Sequence, residues 1–83
     1  MERRAIAVHG VVQGVGFRPF IYGLATRLEL SGFVRNRAGG VWIEVEGDAR
    51  ALDQFLTALA TEPPPLARID QLSWERRPPQ GDR

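Results

Sequence analysis

The chain has no cysteine and no lysine, and it has a single histidine, His9. Without cysteine it can form no disulfide framework, no thiolate zinc site and no cysteine nucleophile. One histidine is too few for the usual histidine-rich metal clusters, and neither a metal nor a cofactor is expected. No apolar run approaches the roughly 18 residues of a membrane span, and no signal-peptide core follows Met1-Glu2-Arg3-Arg4. Charge of one sign is also missing. Eleven arginines against ten acidic residues leave a net charge of +1. That balance argues against a basic nucleic-acid-binding module. The chain therefore reads as a soluble, cytoplasmic domain without nucleic-acid or membrane partners. At 83 residues it has room for only one domain.

What is present is ordered punctuation. Ala5 to Val12 reads as a first strand, and Gln13 to Arg18 as a glycine-rich turn. Phe20, Leu24 and Leu28, widened by Ile21 and Ala25, predict a helix from Pro19 to about Glu29 that ends at Ser31-Gly32. Phe33 to Arg37 and Val41 to Glu46 read as strands joined by a hairpin at Gly39-Gly40. In the second of these Val41, Ile43 and Val45 alternate inward, while Trp42, Glu44 and Glu46 face a solvated outer side. Asp48 is an N-cap signal, and Leu52, Phe55, Leu56 and Leu59 mark a second amphipathic helix. Pro63-Pro64-Pro65 stops that helix. Ile69 to Arg76 is the last strand, with Leu72 and Trp74 inward. Residues 1–77 form the domain, and 78–83 are expected to be a disordered tail where a longer chain was cut. The order βαββαβ is an α+β, ferredoxin-like arrangement: a four-stranded antiparallel sheet with both helices on one face.

The chemistry concentrates between Gly10 and Pro19. A strand runs into Gln13-Gly14-Val15-Gly16-Phe17-Arg18 and then directly into a helix N-terminus. Glycines let the backbone approach a ligand, and the first amides of a helix lack intrahelical acceptors. With the helix dipole and a forked guanidinium, this makes a cradle for phosphate or carboxylate. On spacing alone the same residues also fit a tight strand-to-helix turn with a solvated arginine.

VQGVGFR resembles the signature of the acylphosphatases, and the similarity runs over residues 5–77. In that family the closing arginine and the loop amides hold the substrate phosphate, and an asparagine at the end of the second strand orients the attacking water. Arg18 and Asn36, the only asparagine, stand at those two positions. The resemblance thus implies Arg18 and Asn36 as catalytic residues, with Gln13, Gly14, Val15, Gly16, Phe17 and Arg18 binding phosphate. Pro19-Phe20 and the run Pro64-Pro65-Leu66-Ala67-Arg68-Ile69-Asp70 are similar to one branch, the N-terminal domain of HypF-type carbamoyltransferases of hydrogenase maturation. That branch implies carbamoyl phosphate as substrate and the remaining domains of a parent protein as partners. The alternative is a non-catalytic ferredoxin-like module that binds carbamoyl phosphate or docks a partner domain. An RNA reader would need stacking aromatics on the central strands, where only Trp42 stands.

Other residues are read structurally. His9 lies on a strand and is expected to serve structure. Glu44 and Glu46 belong to a solvated face, Trp42 to a partly buried or domain-contacting position, and Arg76-Arg77 to solubility.

Overall fold

The computed structural model describes residues 1–81. Its elements are β1 (Glu2–Val11), α1 (Phe17–Arg27), β2 (Ser31–Arg37), β3 (Gly40–Gly47), α2 (Ala49–Thr61) and β4 (Arg68–Arg77). The strands form one antiparallel sheet in the order β2-β3-β1-β4. Alternation sorts the sheet into two faces. Ile6 and Val8 of β1, Val34 of β2 and Ile43 of β3 join Ile21 and Leu24 of α1 and Leu52, Phe55 and Leu59 of α2 in one buried cluster. Both helices therefore cover the same side of the sheet. The βαββαβ expectation is met.

Element ends differ from the sequence reading for identifiable reasons. β1 begins at Glu2, three residues before the predicted start, because its charged residues carry their partners with them. On the open side of the sheet, Arg3 is 1% exposed and its guanidinium meets Glu44 at 3.0 Å and Glu46 at 3.3 Å. On the helix side, Arg4 reaches Asp53 of α2 at 2.8 Å and lies 4.3 Å from the Trp74 ring centre. Glu44 and Glu46 are thus not a solvated outer pair; Glu46 is buried. Trp74 does point to the helix side, opposite Ile6, but on an edge strand it stays half exposed beneath Arg4.

Helix α1 stops at Arg27 through a Schellman turn rather than at the glycine downstream. Glu29 adopts φ 58°, its N–H donates to the Thr26 carbonyl, and the Leu30 N–H donates to that of Ala25. Helix α2 starts as predicted, with the Asp48 carboxylate accepting from the Arg50 N–H at 3.1 Å.

Two residues beyond β4 reach back to β3. The N–H groups of Gln80 and Gly81 donate to the two Glu46 carboxylate oxygens at 2.7 and 2.9 Å. The rest of the expected disordered tail, residues 82 and 83, lies outside the described residues. The Gln80 amide, with further help from Gly81 and Arg3, holds the Glu46 carboxyl below its usual range against the upward push of burial. For Glu44, burial is the largest single influence and acts upward. Hydrogen bonds from the Trp42 indole and Arg3 together overcome it and leave the carboxyl low.

Candidate active site

β1 ends in an exposed loop that turns directly into α1. Gly14 and Gly16 take φ of 74° and 82°, in the left-handed region that a side chain disfavours. A Cβ at either would meet nothing within 4 Å, so conformation and not crowding calls for glycine there. The open space above the loop is room for a ligand.

The two helices start differently. Asp48 caps α2, whereas Gly16 caps α1 with no side-chain hydrogen bond, and no acidic residue stands in the first turn of α1. The Phe17 and Arg18 amides have no intrahelical acceptors, and Pro19 at the third position has no N–H to satisfy. The positive end of the α1 dipole is left without a counter-charge from its own first turn. Phe17 fixes this end in place: its ring is 1% exposed in the core and lies 5.9 Å from that of Phe20. Arg18 next to it is exposed and makes no ion pair among the described residues.

These features border a cleft of about 360 Å³ lined by Val12, Gly14, Gly16, Phe17, Arg18, Pro19 and Tyr22. The loop glycines, the start of α1 with its positive dipole end, and Arg18 border it together, which suits a phosphate or another small anion. A larger cleft of about 440 Å³ between α1 and α2, lined by Arg27, Arg50, Asp53 and Glu62 among others, mixes both charges and lacks such convergence.

Of the residues expected to act, Gly14, Gly16, Phe17 and Arg18 line the cleft together. Val15 is half-buried against the core and outside the lining. Asn36 is exposed near the end of β2, paired with Val41, and also stands outside the lining. Gln13 joins the two regions. Its side-chain amide donates to the carbonyls of Arg37 and Gly40, both at 2.7 Å. The side chain is thereby committed to the β2–β3 hairpin. Tyr22 was missed by the sequence reading. It is half exposed and lies four residues after Arg18, a helical spacing that brings both to one side of the cleft. His9, on the outer side of β1, is exposed opposite Gly40 and outside the cleft lining.

Comparison with known proteins agrees with this geometry. The acylphosphatase family model matches residues 4–83. A carbamoyltransferase HypF2 of Cupriavidus necator is 52% identical over 80 residues, which are 96% of this chain and 10% of that protein. An acylphosphatase of Thermotoga maritima is 43% identical over 98% of this chain and 90% of its own length. Among solved structures, full-length HypF in a phosphate- and nucleotide-bound form superposes with a TM-score of 0.94 at 36% identity, covering 98% of this chain and 11% of that one. The acylphosphatase of Bacillus subtilis gives a TM-score of 0.93 at 37% identity, covering 99% and 92%. The chain thus spans about a tenth of the carbamoyltransferases it matches and nearly the whole of the small acylphosphatases. With the family model matched over residues 4–83 and relatives of this identity and coverage, the chain belongs to the acylphosphatase family.

Proposed function

We propose that this domain hydrolyses acyl phosphates, with carbamoyl phosphate as its natural substrate, in the cytoplasm and as the N-terminal domain of a HypF-type carbamoyltransferase in nickel–iron hydrogenase maturation. The observation that carries the proposal is the open cleft at the start of α1, bordered by the loop glycines, the first residues of the helix and Arg18. The relatives named above support the wider setting.

An acyl phosphate is already activated, so positioning and charge stabilisation suffice. The phosphoryl group sits on the amides between Gly14 and Arg18, with the Arg18 guanidinium across two of its oxygens. Water attacks phosphorus in line, the bond from phosphorus to the acyl oxygen breaks, and that oxygen leaves with the electron pair as carboxylate or carbamate. The water proton passes to a phosphate oxygen. The Asn36 side-chain amide, carrying both an acceptor and donors, orients the water without taking its proton.

Phosphate release from benzoyl phosphate and carbamoyl phosphate tests the reading. A second reading, binding without turnover, draws on the position of Asn36 outside the cleft lining. It predicts phosphate-competitive binding of carbamoyl phosphate with no release of inorganic phosphate.

A further inference from the structure

We propose that Gln13 is a positioning residue that clips the phosphate loop to the hairpin bearing Asn36, an inference that rests on the hydrolase reading above. Both hydrogen bonds leave one atom. Nε2 donates to the Arg37 carbonyl and to the Gly40 carbonyl, each at 2.7 Å. Two carbonyl acceptors fix which way the amide points, because the reversed amide would set its oxygen against both of them.

The acceptors have a particular place in the fold. Arg37 and Gly40 form the last pair of the β2–β3 ladder, and Asn36 and Val41 form the pair before it. The Arg37 carbonyl follows Asn36 directly in the chain, and Gly40 precedes its cross-strand partner. On its other side the hairpin is held by β1, where the Gly10 N–H donates to the Gly39 carbonyl at 3.0 Å. Gln13 is therefore the side-chain tie between the loop that opens onto the cleft and the strand end that carries Asn36. Its two side-chain N–H groups are used on the hairpin, so its influence on the reaction passes through Asn36 and the loop and not through contact with phosphate. An in-line attack needs the water and the phosphorus at a fixed separation, and the clip sets the distance between the groups that hold each.

The test uses the whole chain with Gln13→Met, which keeps length and loses the donors, and Gln13→Glu, which turns two donors into acceptors. In Gln13→Met, kcat for benzoyl phosphate falls about ten- to hundredfold while the phosphate inhibition constant stays within about threefold of wild type. In Gln13→Glu, the carboxylate repels both carbonyls at pH 8, and activity relative to wild type recovers as the pH falls into and below the ordinary carboxylate range, where the protonated acid regains one donor. Amide shifts on phosphate titration extend to residues 36–40 in the wild type and stop at the loop in Gln13→Met.

The inference is overturned by an unchanged kcat in folded Gln13→Met, or by loss of phosphate affinity in step with kcat, which would make Gln13 a ligand. Should Gln13→Met fail to fold, a flat pH ratio for Gln13→Glu overturns it equally. A wild type that releases no phosphate contradicts the hydrolase reading, and the amide shifts still decide the clip.

Discussion

Replacing Arg3 with Met leaves a hydrocarbon of similar reach and removes the guanidinium between Glu44 and Glu46. Arg3 is 1% exposed, and Glu44 and Glu46 are 17% and 2% exposed at its two contacts. Taking one partner from a buried charge cluster costs about 3–5 kcal/mol, because the remaining charges are left without compensation. Here the value belongs near the bottom of that range, about 3 kcal/mol, since Glu44 keeps the Trp42 indole donor and Glu46 keeps the Gln80 and Gly81 amides. Against a total stability of about 5–15 kcal/mol this leaves a folded but fragile domain. The deficit has a pH signature. In the wild type both carboxyls are held low, so their contribution is complete above the ordinary carboxylate range and is lost as the pH falls through their lowered values. Without Arg3 the two carboxyls repel each other and their affinity for protons rises, so their ionised form destabilises the fold as the pH increases. The gap between variant and wild type is therefore widest near pH 7 and narrows towards pH 4. Urea unfolding at both pH values measures it. A loss below 1 kcal/mol at pH 7, or a gap independent of pH, would refute the argument.

Two other predictions concern backbone and tail. Glu29→Gly relieves the left-handed residue that ends α1 and should raise stability by about 0.5–1 kcal/mol in thermal or urea unfolding, without altering the cleft. Acidification should protonate Glu46 only once the pH has fallen below the ordinary carboxylate range, and should then release Gln80 and Gly81, seen as upfield movement of their amide proton shifts. Glu46→Gln should produce much of that change already at pH 7.

The order of the six elements was legible because apolar spacing switches cleanly between periods of two and 3.6. Glu2 to Arg4 escaped that reading: alternation of apolar residues says nothing about charges buried with partners some forty positions away. The end of α1 was misread because a non-glycine residue, Glu29, took the conformation that glycine usually signals. In the site, the loop glycines and Arg18 were legible from their place between a strand and a helix start. The family resemblance, and not the spacing, singled out Asn36. The role of Gln13 was hidden because its acceptors are backbone carbonyls 24 and 27 residues away, which no side-chain pattern records. The same holds for Gln80 and Gly81, which Glu46 holds by their main-chain N–H groups.

The central claim is hydrolysis at the cleft beside Arg18, and phosphate release from carbamoyl phosphate and benzoyl phosphate by wild type, Arg18→Ala and Asn36→Ala tests it most directly. The wild type should turn both substrates over. Arg18→Ala should lose turnover and phosphate affinity together, whereas Asn36→Ala should keep phosphate affinity within a few fold and lose turnover by roughly a hundredfold, the scale of one positioned donor. Both side chains are exposed, so both variants should stay folded. No phosphate release by the folded wild type, or full turnover in both folded variants, would contradict the account.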